Sequence, residues 1–158
     1  MPTSNKTRKN KSKKKDSQQK RRIQSGRNGQ NEILRSVKCV QVFLSILNMV
    51  KLYHWKTHSY AQHKSTDDLY SSMNEHIDKF VEIMLGKNET RLENKPIHFE
   101  LSNTSSIHDF KEQIYNYRNF LITLNSMLDK EKDSDLLNVR DEILGDINQF
   151  LYLLTFDT

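Results

Sequence analysis

The sequence predicts an all-α fold: an antiparallel four-helix bundle with a long crossover between its second and third helices, preceded by a disordered basic arm. Two observations predict the bundle. Apolar residues recur every three or four positions in four separate stretches, the spacing of one helix face, and the one long connection lies between the second and third stretches. A third observation predicts the arm, because residues 1–30 contain only Met1 and Ile23 from the hydrophobic set, too few to build a core.

The arm and the bundle differ sharply in charge. The 158-residue chain carries a net +5, but the arm (residues 1–30) carries +10 and the predicted bundle (residues 31–158) carries −5. A flexible basic segment attracts polyanions, so we expect non-sequence-specific DNA binding through the phosphates. Two alternatives stay open: a nuclear localisation signal, and an acidic protein or anionic membrane surface as the partner. The basic residues of the arm are Lys6, Arg8, Lys9, Lys11, Lys13, Lys14, Lys15, Lys20, Arg21, Arg22 and Arg27.

Local signals set the bounds of the four predicted helices. Asn31 is a favourable N-cap for the first helix, and its apolar seam continues in register to His54, which should therefore face a packed interface. Ser59 and Gln62 fit a capping box at the start of the second helix, and Gly86 fits the C′ position at its end. The loop between these two helices is short, so they should be antiparallel. The predicted ranges are 31–57, 59–85, 106–130 and 134–156, with the crossover over 87–104.

Cysteine usage and hydropathy exclude two classes of protein. Cys39 is the only cysteine, so no intrachain disulfide can form, and the N-terminus lacks the apolar segment of a signal peptide. The longest apolar stretch, residues 40–53, is interrupted by four polar residues and is too short and too polar to span a bilayer. We therefore expect an intracellular protein, cytoplasmic or associated with DNA in a nucleoid or virion.

Five nitrogen and oxygen donors lie close together in the sequence: His54, a first pair formed by His63 and Asp67, and a second pair formed by Asp78 and Glu82. Both pairs share one face of the second helix at ~100° per residue. However, Asp67 and Asp78 are roughly 16 Å apart along the axis at ~1.5 Å per residue. Ligands to one ion lie within roughly 2–2.6 Å of it, so one chain cannot bring both pairs to one metal.

A two-fold axis resolves this geometry. If the second helix packs antiparallel against its copy, crossing near Ser72 and Met73, the first pair of one chain faces the second pair of its partner. The sequence therefore predicts at least a homodimer with two identical sites. Mixed imidazole and carboxylate ligation suits iron or zinc, and open coordination positions favour Fe(II) oxidation. The competing interpretation is that these are ordinary solvated residues of a surface helix.

The motifs around these donors resemble the core signature of Dps-type mini-ferritins. The resemblance is carried by LYHW at 52–55, by His63 with Asp67, and by EHID at 75–78 with Glu82. The aromatic end FLYLL at 150–154 is similar to the family's last helix. The same stretch also resembles ferritin-like proteins of large DNA viruses. The resemblance implies a ferritin-like bundle that oxidises Fe(II) to Fe(III) between subunits with peroxide or oxygen, with zinc as a substitute metal.

The resemblance also assigns roles to single residues. It implies that all five donors are iron ligands and that Trp55 lies beside the metal, and His58 offers a further donor close by. Several Dps-like proteins carry a Lys-rich arm that holds DNA outside a twelve-subunit shell, which implies DNA protection here. The chain departs from the family in a shorter interval between His54 and His63 and in a crossover without room for the family's small middle helix. These departures bear on the dodecamer more than on the site. The alternative is a non-catalytic DNA-packaging or virion structural protein on the same bundle.

Overall fold

The computed structural model of the protein describes residues 36–92, 96–101, 103–104 and 106–156. Within these ranges the chain forms four α-helices and no strand, which confirms the predicted all-α four-helix bundle. The predicted arm, its basic residues and the predicted N-cap Asn31 lie outside the described residues. The elements are α1 (Ser36–Lys56), α2 (Tyr60–Lys87), α3 (Ile107–Met127) and α4 (Ser134–Leu153), followed by a 3₁₀ turn at Leu154–Phe156.

Helices α1 and α2 are antiparallel, and so are α3 and α4, whereas α2 and α3 run in the same direction because both begin near the end of α1. Aromatic contacts join α1 to α2 through Phe43 and Phe80, whose ring centroids are 5.2 Å apart, and α1 to α3 through Tyr53 and Phe110, which stack at 3.9 Å. Such aromatic pairs add to the stabilisation that burial alone gives. By length and composition, α1 is the one described helix that could cross a membrane, and 50 % of that apolar window is buried inside the bundle. The exclusion of a bilayer span, which was drawn from residues 40–53, stays a prediction.

The predicted crossover is confirmed. Side chains of α1 donate hydrogen bonds to three of its backbone carbonyls: Gln41 to His98 at 2.9 Å, Ser45 to Glu100 at 3.1 Å, and Lys56 to Thr104 at 2.5 Å. Both sets of residue numbers rise together, so the segment runs beside α1 in the same direction. It returns the chain from the end of α2 to the opposite end of the bundle, where α3 begins next to the α1–α2 loop.

The buried stripe on α1 is wider than the predicted seam. Val40 and Leu47 are buried as predicted, whereas Val37 and Leu44 are only half-buried. Because α1 packs against both α2 and α3, the residues between the seam positions are buried as well. They include Phe43, Ile46, Met49 and Val50.

The ends of α2 differ in how well they follow the predicted caps. The Ser59 hydroxyl accepts a hydrogen bond from the Gln62 backbone, as predicted. The prediction for Gly86 is wrong, because α2 continues to Lys87 and the left-handed residue is Glu89, with φ of 49°. The bonds from Glu89 N–H to the Gly86 carbonyl and from Thr90 N–H to the Leu85 carbonyl form a Schellman motif around that residue.

Candidate metal centre

The short α1–α2 turn brings His54 and His63 face to face. Their rings stack with centroids 3.8 Å apart and planes 23° from parallel. The two residues also exchange hydrogen bonds: Nδ1 of His54 lies 3.0 Å from the carbonyl oxygen of His63, and Nδ1 of His63 lies 3.0 Å from the carbonyl oxygen of His54. The predicted inward orientation of His54 is confirmed, since only 7 % of it is exposed.

These reciprocal bonds fix the tautomer of both rings. A carbonyl oxygen can only accept a hydrogen bond, so each Nδ1 must carry the proton. In the neutral rings Nε2 is then the nitrogen with the free lone pair, and no described residue hydrogen-bonds to it on either ring. Metal-binding histidines commonly have this arrangement, in which one ring nitrogen donates to a backbone carbonyl and the other is left for the metal.

Thr66 closes the turn beneath the two rings, and the sequence patterns did not identify it. Its side chain is fully buried, and its hydroxyl donates to the Gln62 and His63 carbonyls at 2.7 and 3.0 Å. The same hydroxyl lies 3.3 Å from Nδ1 of His54. A β-branched hydroxyl one turn after His63 is the only sequence signal that marks it, and this signal is common in helices.

Asp67, the carboxylate of the first pair, lies one helical turn after His63 and is paired with a lysine. Its Oδ1 is 3.5 Å from Nζ of Lys51. That ammonium also lies 4.9 Å from the ring centroid of Tyr70 and 6.0 Å from that of Trp55, within the range of cation–π attraction. Lys51 was missed in the sequence, although it lies three residues before His54 and therefore on the same side of α1.

The second pair lies elsewhere on the chain, as its axial distance predicted. Asp78 and Glu82 are exposed on α2, roughly 16 Å or more from Asp67 at ~1.5 Å per residue, and neither has an ion-pair partner among the described residues. Within the ranges that the structure covers, no three or more His, Cys, Asp or Glu side chains converge closely enough to hold a metal ion. A complete site of five ligands would therefore need a second chain.

The predicted crossing point of such a dimer needs one correction. Met73 is fully buried in the bundle core, so it cannot meet a partner. At the same level of α2, Ser71 and Asn74 are exposed and lie on the face that carries the two pairs. Two further residues were predicted near the metal. Trp55 is 68 % exposed, with the Lys51 ammonium over its ring, and His58 is exposed in the loop.

Comparison with known proteins gives a family but no described activity. No curated protein and no solved structure matches the chain. One family model matches residues 54–154, under the description Family of unknown function. The match begins at His54 and contains both pairs, the crossover, and α3 and α4. Because it covers more than half of the 158 residues, the chain belongs to the Family of unknown function (DUF5856).

Proposed function

We propose that the protein is a Dps-like ferroxidase, which oxidises Fe(II) at sites shared by two chains and binds DNA through residues 1–30. The observation that carries the proposal is the His54–His63 pair. Both Nδ1–H groups are bonded to backbone carbonyls, so both Nε2 atoms are left for a metal. The backbone would thus hold both rings in place before a metal binds.

In this proposal each chain contributes two half-sites. His54, His63 and Asp67 of one chain would hold Fe(II) together with Asp78 and Glu82 of its partner. Iron is the substrate: two Fe(II) ions each give one electron to one hydrogen peroxide, which takes up two protons and leaves as two waters. The protein would hold the ions and the peroxide close together, which replaces random encounters with a fixed geometry.

Charge supports an antiparallel pairing of the α2 helices. The first pair contains one carboxylate, that of Asp67, which Lys51 balances, whereas the second pair offers two exposed carboxylates without an ion-pair partner among the described residues. A two-fold axis near Ser71 and Asn74 would place these unlike ends against each other. Complementary potentials of this kind favour one relative orientation of two surfaces.

An anaerobic Fe(II) titration followed by peroxide addition tests the iron proposal. We expect the wild type to oxidise two Fe(II) per peroxide, and we expect Asp78→Ala with Glu82→Ala to lose tight binding and the fast oxidation. Asp68→Ala with Glu75→Ala is the matched control, because it removes two other exposed carboxylates of α2. No Fe(II) binding by the wild type, or equal losses in the two double variants, would rule out the site.

A mobility-shift assay tests the DNA part. We expect binding to weaken steeply with salt, since phosphate contacts release counterions. We also expect Lys13, Lys14 and Lys15, changed together to Gln, to weaken it on sequences of any composition. Binding that is insensitive to both changes would contradict a role for the arm in phosphate contacts.

The Lys51–Asp67 ion pair favours a second candidate function, a non-catalytic DNA-packaging or virion structural protein. In that case Lys51 simply neutralises Asp67 and no metal is needed. Lys51→Met separates the two functions. A ferroxidase should bind Fe(II) about two- to fivefold more tightly in this variant, because a partly exposed ion pair contributes roughly 0.2–1 kcal/mol. A packaging protein should bind no Fe(II), whether position 51 is Lys or Met. The Lys51→Met variant should bind DNA as the wild type does.

A further inference from the structure

A cluster of ionisable side chains lies on the opposite side of α2 from the two pairs, where α2 packs against α4. His76 projects from α2 and is paired with Asp146 of α4, Nδ1 to Oδ2 at 2.7 Å. Its other ring nitrogen, Nε2, is 3.9 Å from Oε2 of Glu142, one turn earlier on α4. Nζ of Lys79 is 3.2 Å from the same Glu142 oxygen. His76 and Asp78 are two residues apart, or about 200° around the helix, so this cluster is separate from the centre proposed above.

The pairing with Asp146 orients the imidazole. A carboxylate that accepts a hydrogen bond from Nδ1–H holds the ring in place and directs Nε2 to the other side, as in the carboxylate–histidine–metal arrangement of zinc proteins. Asp146 suits this role because its side chain is only 15 % exposed, less than that of His76 at 25 %. The nitrogen that is directed away from Asp146 then faces the Glu142 carboxylate.

The distance between these two atoms is close to what one metal ion requires. Two ligands at about 2.1 Å from a tetrahedral zinc ion lie roughly 3.4 Å apart, so Nε2 of His76 and Oε2 of Glu142 would need to approach by about half an ångström. Glu142 is at the surface, with 43 % of its side chain exposed, and a small change in its side-chain torsions supplies that shift. One imidazole with one carboxylate suits zinc or ferrous iron.

We propose that His76 and Glu142 form a binding site for a divalent transition-metal ion between α2 and α4. Asp146 positions the His76 ring, and Lys79 holds the Glu142 carboxylate when no ion is bound. Two protein ligands are fewer than in catalytic or structural zinc sites, so water completes the coordination and the affinity is modest. The site joins two helices that are far apart in the sequence, and it does not depend on iron oxidation or on a second chain.

The site can be tested with zinc, in competition with a chromophoric chelator, on a background of Asp78→Ala with Glu82→Ala, which removes tight binding at the proposed inter-chain site. We expect His76→Ala and Glu142→Gln each to weaken Zn²⁺ binding at least tenfold, and Asp146→Asn to weaken it about tenfold or more, as the loss of an orienting partner does. We expect Lys79→Ala to tighten binding several-fold, because the competing ammonium is gone. Glu75→Gln is the matched control: it removes a neighbouring exposed carboxylate of α2 and should change nothing at this site.

A second readout separates binding from simple folding defects. An ion that binds only the folded chain raises its unfolding temperature, so in the Asp78→Ala, Glu82→Ala background Zn²⁺ should stabilise the protein with Lys79 or with Lys79→Ala, but not with Lys79→Ala and Glu142→Gln together. If Lys79→Ala leaves Zn²⁺ affinity unchanged, or if its effect persists after Glu142 is changed, the proposal is wrong. Failure of Asp78→Ala with Glu82→Ala to alter iron oxidation would remove the proposed ferroxidase and leave this site untouched.

Discussion

At the scale of single residues, His54 and His63 stabilise the α1–α2 turn whether or not a metal binds. Each ring donates to the backbone of the other residue, so the bonds close a loop of only three residues between two long helices. His54 is buried and His63 is exposed. The two imidazoles should therefore contribute unequally to folding, although they would contribute similarly to a metal site.

Alanine substitution should reveal that inequality. We expect His54→Ala to lower the free energy of unfolding by about 2–3 kcal/mol, because it leaves a cavity and removes a buried hydrogen bond. His63→Ala should cost about 1 kcal/mol or less, as expected for an exposed residue with one such bond. Urea unfolding without metal measures both, and His58→Ala in the same turn is the control, expected to stay within about 0.5 kcal/mol of the wild type. Equal losses for His54 and His63 would contradict this account of the turn.

Only part of this geometry could be predicted from the sequence. The seven-residue interval from Leu47 predicted that His54 faces inward, because apolar periodicity determines which side of a helix is buried. The reciprocal bonds could not be predicted, since their acceptors are carbonyls whose positions depend on the turn. Lys51 was missed for a related reason: its pairing with Asp67 depends on how closely α1 and α2 approach.

At the scale of elements, the end of α2 shows how tertiary contacts override a local signal. Gly86 is a favourable helix terminator, yet a side chain added there would meet nothing within 4 Å, and the helix continues past it. Lys87 supplies the reason, because its ammonium is paired with Asp133 at 3.2 Å and with Asp135 at 2.9 Å. These ion pairs tie the last turn of α2 to the start of α4, and the left-handed position moves to Glu89.

Glu89→Gly should therefore stabilise the protein. A residue with a side chain in the left-handed region costs roughly 1–2 kcal/mol, and glycine removes that cost but adds freedom to the unfolded chain. We expect a net gain of about 1 kcal/mol or slightly less, measured by urea unfolding. Gly86→Ala is the matched comparison and should also stabilise, by up to about 1 kcal/mol, since Gly86 is inside the helix and has open space around it. A loss of stability for Glu89→Gly would contradict the assigned cap.

The loop between α3 and α4, together with the first turn of α4, should make the protein less stable in acid. The pKa of Asp135 is lowered by its hydrogen bond with the Lys87 ammonium, and the pKa of Asp129 is lowered by the backbone N–H groups of Lys132 and Glu131. Both folded-state values lie below the ordinary 3.8. The stabilisation is thus fully present above about pH 4 and is lost as the pH falls through the folded-state pKa values.

Lys87→Met tests the contribution of the ion pair to this acid sensitivity. At about pH 7 the variant should be less stable than the wild type, and the difference in stability should shrink as the pH falls below 3.8 and Asp135 becomes protonated in both folded and unfolded chains. Thermal unfolding followed by circular dichroism across this range is the measurement. A gap between variant and wild type that stays constant down to low pH would show that Lys87 acts through packing alone.

The same loop explains why the predicted third helix was too long. Its apolar positions continue to Leu128, which predicted a helix to residue 130, but α3 ends at Met127. The Asp129 carboxylate accepts hydrogen bonds from two following backbone N–H groups, those of Glu131 and Lys132. Such local bonds compete with helical ones. Apolar periodicity predicts which helices exist, whereas their ends depend on side-chain bonds of this kind.

At the scale of the whole molecule, the proposed metal site needs a second chain, because the two pairs on α2 lie too far apart to share one ion. An isologous dimer would form two complete sites, so the assembly should contain an even number of chains. We expect light scattering to give at least twice the 18.7 kDa chain mass, and twelve times that mass if a Dps-like shell forms. Asn74→Arg places like charges across the proposed axis and should shift the protein to monomers and abolish iron oxidation. Asn119→Arg, on the exposed side of α3, is the control and should leave the number of chains unchanged. A monomeric wild type would contradict a site shared by two chains.

The way in which α1 holds the crossover determines which amino-acid substitutions the protein can tolerate there. Gln41, Ser45 and Lys56 bind it through its backbone carbonyls, which every amino acid provides. Substitutions at the exposed positions of the crossover should therefore be tolerated widely, but not at Asn103, whose side chain also accepts a hydrogen bond from Lys56 at 2.8 Å, or at the buried Thr104. The three donors on α1 should not be replaceable by apolar residues. Side chains of α1 thus determine the path of the crossover. The exposed positions of the crossover can therefore acquire new surface properties without loss of the fold.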